Sequence, residues 1–368
     1  MKRILYLSRG GCVGGSHRQL YYVVANLDHG FKPVVVCNKN GQFFDQLRQS
    51  GVNVDVLPLR SWRKFPACLF RYFDAERLAR FARRHNIALI HSSDLWLSNY
   101  MNWVSARLQI PSVLHIRTPM PSDKIKKYRF DEAASIIVIS QRIKQDLIAA
   151  GINQEKITVI DDAVDLDVFK PGENPGNVLK EQFSVDGRVA AGIVGRIDPS
   201  KRQLDFIRAA EQIVGSISKN VAFFIIGEVH SESYFRRAKQ FVEKSGLNNF
   251  VFFTGRREDM PQVLSSLDIL VSLSGGSVMF EAMACGKPVI SAGFSTKENS
   301  VHIQDGITGL LIPSKQTAEL VHSLARLIDN PPLRNEIGHN ARIWAQNKLS
   351  HLYMLDKTQQ VYQKLIGN

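Results

Sequence analysis

The chain has 368 residues, 44% of them hydrophobic and 22% charged, which is enough to bury the cores of two packed domains and excludes a disordered or fibrous chain. Lys and Arg outnumber Asp and Glu by 47 to 34, which favours polyanionic partners without choosing among nucleic acid, anionic lipid and phosphorylated substrate. No apolar run approaches the roughly 18 residues of a spanning helix.

The chain opens on a basic stretch with four apolar residues before Ser8, too few for a signal-peptide core, and is expected to form a first strand over Arg3 to Ser8. Cys12, Cys37, Cys68 and Cys285 lie far apart with no Cys-x-x-Cys spacing, so neither a disulfide framework nor a zinc site is expected, and a reducing, cytoplasmic setting fits. Short apolar runs then alternate with helical patterns, the signature of parallel βα units. Strands are predicted at Pro33 to Cys37, Val54 to Leu57, Leu89 to His91, Ser112 to His115, Ser135 to Ile139 and Thr158 to Ile160. Helices are predicted at His17 to Leu27, Phe43 to Gln49, Asp74 to His85, Leu97 to Leu108 and Gln141 to Ala150, the last closed by Gly151.

The first 168 residues hold 24 Lys/Arg against 15 Asp/Glu. The excess is densest from Arg60 to Arg84, where eight cations face Asp74 and Glu76, and Trp62, Phe65, Phe70, Tyr72, Phe73 and Phe81 are interleaved. This mixture suits a membrane interface, with rings in the headgroup boundary and cations on lipid phosphate. A solvated helix whose aromatics enter the core accounts for it as well.

A polar stretch, Lys170 to Gly187, separates a second βα series. Its strands are predicted at Val189 to Val194, Val221 to Ile226, Val251 to Phe253, Ile269 to Leu273 and Pro288 to Ser291. Helices are predicted at Arg202 to Val214, Tyr234 to Lys244, Val278 to Cys285 and, as one segment, Arg334 to Leu365. Two doubly wound α/β domains follow, with a ligand cleft at the strand C-terminal ends.

Three loops carry chemistry. The glycines at 10, 11, 14 and 15 precede a helix and would let backbone N–H groups approach an anion. They contain no i, i+2 pair, and the second strand ends in Cys37-Asn38-Lys39 rather than an acid, so a dinucleotide enzyme is disfavoured. In Gly192-Ile-Val-Gly-Arg-Ile-Asp-Pro-Ser-Lys201, Arg196 and Lys201 leave a strand end beside a helix start, a site for a diphosphate. In the run from Ser272 to Ile290 a strand enters a glycine turn that opens a helix. The N–H groups of Gly276, Ser277 and Val278 would face an anion, and Glu281 could accept from ribose hydroxyls.

This last stretch resembles the retaining nucleotide-sugar glycosyltransferases of family 4, the "glycosyl transferases group 1", which have the GT-B fold. The likeness extends to the glycine loop at 10 to 15, VIDDAVDLDVF, GIVGRIDPSK, FTGRREDMPQVLSSLDILVSLS, EAMACGKPVIS and DGITGLLIP. It implies two Rossmann-like domains, an acceptor-binding one over 1–168 and a nucleotide-sugar-binding one over 188–345, with a C-terminal crossover helix over 346–368 packing back on the first. It implies that Arg196 and Lys201 hold the donor diphosphate, Glu281 the ribose, and Gly276 to Val278 a phosphate or sugar. Gly14 and Gly15 would approach the donor from the first domain, and Gly255 and Arg256 match the region that contacts the nucleobase.

Two positions depart from the family pattern. Leu273 stands where the first glutamate of a Glu-x7-Glu pair is usual, and Arg117 stands where a histidine commonly follows Pro111 by six residues, with His115 two positions early. His115 and Arg117 are the candidate catalytic residues: on an alternating strand the two share a face, so either could reach the cleft, while His115 could equally be a hydrogen-bonded core histidine. Asp165-Leu166-Asp167 spells a metal-binding Asp-x-Asp but falls in the linker, so no metal is assigned to it. Asp161 and Asp162, adjacent on an extended segment, are expected to point apart.

The implied activity is transfer of a sugar from a nucleotide-diphosphate donor to a glycan or lipid-linked acceptor in cell-surface polysaccharide or lipopolysaccharide biosynthesis, retaining, hexosyl-type, with no cofactor and no metal. Expected partners are the donor, the acceptor and an anionic membrane surface met by residues 60–84 at the cytoplasmic face; nucleic acid is not expected. Two alternatives stay open: a degenerate GT-B scaffold without transferase activity, and a sugar-nucleotide epimerase.

Overall fold

A computed structural model describes residues 1–11, 13, 15–28, 30–172, 177–292 and 302–367. The chain divides into two compact units, one of Met1–Ala163 with His351–Asn368, the other of Val164–Ser350.

The first unit alternates β1 (Lys2–Ser8), α1 (Gly15–Asn26), β2 (Phe31–Cys37), α2 (Gln42–Gln49), β3 (Val54–Val56), α3 (Arg71–Arg84), β4 (Ile87–Ser92), α4 (Ser98–Leu108), β5 (Ser112–Ile116), α5 (Ser122–Lys127), β6 (Ser135–Val138), α6 (Gln141–Ala149) and β7 (Ile157–Val159). All seven strands are parallel in the order β3-β2-β1-β4-β5-β6-β7. Both faces of the sheet are covered, so the central strands read as unbroken apolar runs. One face packs Leu5, Leu7, Val34 and Val36 against Leu78, Ala82, Tyr100 and Met101. Helix boundaries follow local chemistry: Ser140 caps α6 through the Ile143 N–H, and Gly151 lies beyond its end at φ 94°.

The second unit contains α7 (Val178–Gln182), β8 (Val189–Val194), α8 (Gln203–Ser216), β9 (Val221–Ile226), α9 (Glu232–Lys244), β10 (Val251–Gly255), α10 (Met260–Ser266), β11 (Ile269–Ser272), α11 (Val278–Ala284), β12 (Val289–Ser291), β13 (Leu310–Leu311), α12 (Thr317–Asp329) and α13 (Pro331–Lys348). Its six parallel strands run β10-β9-β8-β11-β12-β13. In both sheets the chain winds outward one way, returns and winds the other: the order reverses between β1 and β4 and between β8 and β11. Such switch points leave a crevice at the strand C-terminal ends.

The unit borders differ from the expected 168, 188 and 346. Val164, Phe169 and Leu179 are buried in the core of the second unit, and the Arg342 guanidinium donates to the carbonyls of Phe169 and Ala284. The linker is therefore part of that unit. The segment from Arg334 to Leu365 is two helices, not one. After α13, Leu349 is buried, the Leu349 carbonyl accepts from the Val164 N–H, and the chain then enters α14 (His351–Ile366). Helix α14 packs beside α1 over the other face of the first sheet, with Met354, Leu355, Val361 and Tyr362 among Ile4, Tyr6, Leu20, Phe31 and Leu89.

Candidate functional site

In the first unit the expected glycine loop divides. Gly14, like Cys12, lies outside the described residues. Gly15 opens α1 with no neighbour where a side chain would stand. Gly10 is a packing glycine: a Cβ there would meet the Lys39 carbonyl at 2.2 Å, and one on Gly41 would meet the Gly10 carbonyl at 2.5 Å. The β1 and β2 loops touch backbone to backbone, a reason for glycine independent of any anion.

His115 and Arg117 do meet. His115, 2% exposed on β5, presents Nδ1 at 3.1 Å from Arg117 Nη2, and Arg117 Nε donates to Asp162 Oδ1 at 2.9 Å. A guanidinium only donates, so His115 Nδ1 must be its unprotonated nitrogen and Nε2 carries the hydrogen. The network continues away from Arg117. The His91 and His115 rings lie 5.7 Å apart, His91 Nδ1 is 2.5 Å from the Tyr362 hydroxyl on α14, and that hydroxyl is 3.1 Å from Tyr6 on β1. His91 Nε2, His115 Nε2 and Arg117 Nη1 are buried with no hydrogen-bond partner among the described residues.

Burial and then the Arg117 charge push His91 down to about 3, and burial with the charges of Arg117 and His91 holds His115 well below the usual imidazole range. Burial, then the neighbouring Asp162 charge, pushes Asp161 up to about 7. The two carboxylates expected to point apart thus sense each other, with Arg117 as cation on Asp162.

An unfolded histidine takes its proton near 6.5, so the stability of these neutral imidazoles is complete above that pH and is lost as pH falls below it, for His91 down to about 3. The loss is about 1.4 kcal/mol per pH unit for each such group. His302, edged against Phe280 and Trp344 and pushed down to about 4 by burial, adds the same dependence to the second unit. We expect urea midpoints to fall from pH 7 to pH 4.5 and to fall less in His91→Gln; an equal fall would remove His91 as a cause.

In the second unit the loops after β8 and β11 meet at the switch point. Gly195, at φ 149°, lies under the Lys201 stem, where a Cβ would come within 3.4 Å of it, and the Lys201 amine is 3.9 Å from the Cβ position of Gly276. Asp198 fixes the turn between the two cations by accepting from the Ser200 N–H at 2.8 Å, and the bond from the Ser200 hydroxyl is the first cause of its lowered pKa. Gln203 Nε2 holds the Arg196 carbonyl at 2.9 Å. The Arg196 side chain is 60% exposed and 3.7 Å from Asp198; Lys201 forms no ion pair among the described residues. The N–H groups of Gly276, Ser277 and Val278 donate to no backbone carbonyl there.

Glu281 is half-buried in α11. Gly255 ends β10 at φ 72°, its carbonyl accepting from the Gly227 N–H at 2.9 Å. Arg256 beside it is exposed and 3.5 Å from Glu258. Leu273 is 4% exposed within the core of Val271, Ile193 and Ile290, so this position is apolar packing. The Asp165 carboxylate accepts from the Asp167 and Val168 N–H groups, a turn cap. The structure thus sets the Lys201 amine beside Gly276 at the C-terminal ends of β8 and β11, with Arg196 on the same loop as Lys201, and His115 with Arg117 on the other sheet. Sequence reasoning missed Asp162, His91, Tyr362 and Tyr6 as partners of that second cluster. Only the polar residues within β4 and β5, which are otherwise apolar, hinted at it.

Two doubly wound parallel sheets, each with polar loops at its switch point, define the GT-B class of architecture. The family models agree: "Glycosyltransferase Family 4" matches residues 13–168 and "Glycosyl transferases group 1" residues 179–344. The chain belongs to glycosyltransferase family 4. Among individual proteins, it is 23% identical over 251 residues to an uncharacterized glycosyltransferase of Methanocaldococcus jannaschii, covering 66% of this chain and 62% of that protein. It is 26% identical over 270 residues to the D-inositol 3-phosphate glycosyltransferase of Mycolicibacterium smegmatis, covering 66% and 60%. The matches thus span about three-fifths of these relatives. The fold is shared with Anabaena Alr3699/HepE in complex with UDP, at a TM-score of 0.86, 22% identity and 99% and 100% coverage.

Proposed function

We propose that the protein transfers a sugar, of hexosyl type, from a nucleotide-diphosphate donor to a glycan or lipid-linked acceptor of cell-surface polysaccharide or lipopolysaccharide biosynthesis, with retention and without a metal. The observation that carries this reading is the Lys201 amine set over Gly276 at the β8/β11 switch point, with Arg196 on the same loop. Breaking the bond from the anomeric carbon to the nucleotide leaves negative charge on the departing oxygen. Arg196, Lys201 and the N–H groups at the start of α11 would stabilise it, each fixed donor contributing roughly 2 to 4 kcal/mol in a water-excluded site. Glu281 would take the ribose, and Gly255 and Arg256 the base.

Leu273 leaves an apolar side chain where the family glutamate stands. The reading is therefore front-face attack by the acceptor hydroxyl, with the departing phosphate as base, rather than a covalent sugar on a carboxylate. Arg117 is assigned the role of a cation in this chemistry and His115 that of the neutral imidazole that orients it. Products of inverted configuration, or a trapped glycosyl-protein adduct, would end this mechanism.

Thermal stability against UDP, GDP, dTDP, ADP and CMP, with their sugar conjugates, tests the donor assignment. UDP comes first, since crystal structures of Alr3699/HepE hold UDP and UDP-glucose. One nucleotide is expected to raise the midpoint saturably; no shift with any of them would favour the scaffold reading. No helix among the described residues is long and apolar enough to cross a membrane. Peripheral contact through residues 60–84 is supported by the exposure of Phe65, Leu69, Phe70, Tyr72 and Phe73, all at least half exposed. Phe65, Phe70, Tyr72 and Phe73 do not enter the core, whereas Trp62 and Phe81 of the same segment pack against it. Sedimentation should be stronger with anionic than with neutral vesicles, and equal binding to both would remove the contact.

A further inference from the structure

The first sheet has its own switch point, and a cavity of about 490 Å³ opens there. Its wall is built by the loops that leave the C-terminal ends of β1, β2, β3 and β4, together with the end of α5. Five cations line it, Arg9, Arg60, Arg63, Lys64 and Lys127, and among the described residues no carboxylate does. Arg9 pairs with Asp94, and Arg60 with the buried Asp74 at 3.1 Å. Arg63, Lys64 and Lys127 have no ion-pair partner among the described residues, so the cavity keeps an excess of about three positive charges at neutral pH. Three aromatic residues, Trp62, Trp96 and Tyr128, share the rest of the wall with Leu59, Leu97, Asn38 and Ser61, and the Arg63 guanidinium lies over the Tyr128 ring at 5.0 Å.

Exposed apolar side chains stand next to the lining residues. Phe65, 80% exposed, follows Lys64 directly, and Phe70, half exposed, lies under the Arg60 guanidinium at 4.6 Å. Trp96 lines the cavity and is itself half exposed. Unpaired cations within a wall and exposed hydrocarbon beside it match one kind of molecule, an anionic head joined to an apolar chain. A free phosphate would use the cations and leave the hydrocarbon without a role. An alcohol or neutral glycolipid would use the hydrocarbon and leave three cations unanswered.

We infer that this cavity is the binding site for the phosphate or diphosphate head of a membrane amphiphile, with Arg63, Lys64 and Lys127 on the phosphate and Phe65, Leu69 and Phe70 against its chain. The inference rests on the glycosyltransferase reading only in making that amphiphile the acceptor; the binding event stands apart from it.

The test follows tryptophan fluorescence of the full chain on titration with octyl diphosphate below its micelle concentration, beside octyl glucoside and inorganic diphosphate. The expected result is a saturable change with octyl diphosphate, at least tenfold weaker with the other two, and reduced in Trp62→Phe and Trp96→Phe. Arg63→Glu with Lys127→Glu should weaken it at least tenfold while the thermal midpoint stays within a few degrees, and Phe65→Ser with Leu69→Ser should weaken it for the octyl compound alone. Equal affinity for inorganic diphosphate overturns the amphiphile, and equal affinity for octyl glucoside overturns the phosphate. Unchanged binding in Arg63→Glu with Lys127→Glu overturns the site. Arg196→Ala must keep the response; if it is lost there, the ligand sits on the donor clamp and the inference fails. A donor shift without octyl diphosphate binding would sink this inference alone, and the converse would sink the donor reading alone.

Discussion

Replacing Arg196 and Lys201 together by alanine should lower sugar transfer by roughly a thousandfold or more, since two fixed donors at roughly 2 to 4 kcal/mol each are lost from the leaving group. The urea midpoint should hardly move, because the Arg196 side chain is mostly exposed and Lys201 forms no ion pair among the described residues. Of the single variants, Lys201→Ala should be the worse. Its stem is pinned over Gly195 and its amine set by Gly276, whereas Arg196 shares its charge with Asp198. Steady-state rates with the nucleotide found in the thermal screen, and unfolding curves beside them, decide this. A double variant within tenfold of the wild type would mean that the diphosphate is held elsewhere.

The second large effect is on stability. Arg117→Met removes the cation from a pair whose side chains are 10% and 17% exposed, and breaking a buried pair from one side costs about 3 to 5 kcal/mol. The loss should be greater at pH 8 than at pH 5. Asp161, with its pKa raised to about 7, is ionised beside Asp162 above that pH and becomes protonated as pH falls through it, relieving the repulsion. Arg117→Met with Asp162→Asn should recover at least half of the loss, and no recovery would show that Arg117 acts through packing. Arg117→Lys keeps the charge but cannot reach Asp162 Oδ1 and His115 Nδ1 in the same fork, so it should restore stability better than transfer rate.

The alternation of strands and helices was legible because each buried strand is an uninterrupted apolar run and each helix carries a periodic face. Strand β8 was placed to the residue, and Arg196 and Lys201 follow it, as Glu281 follows β11 within α11, where the pattern had put them. Contacts between distant residues were not legible. Tyr6 and Tyr362 are 356 residues apart, His91 and Tyr362 are 271, and Arg117 and Asp162 are 45; no local pattern encodes such pairs. Gly10 showed a related ambiguity, since a glycine beside a carbonyl and a glycine beside an anion look the same in sequence. The break at 349 and 350 was hidden because neither residue is a helix breaker; the interruption comes from the bond between Val164 and Leu349. The charge run from Arg60 to Arg84 was visible, but its partner Lys127, and the cavity between them, needed the fold.

Helix α14 also bears on how the molecule is made. It covers Ile4, Tyr6, Phe31 and Leu89, laid down among the first ninety residues, with side chains from the last eighteen. During synthesis the ribosome completes the whole second unit before the first can close, so the earliest sheet waits with one apolar face uncovered. Contacts across so long a span of chain form slowly, and a nascent chain stalled before residue 351 would be a ready client for chaperones.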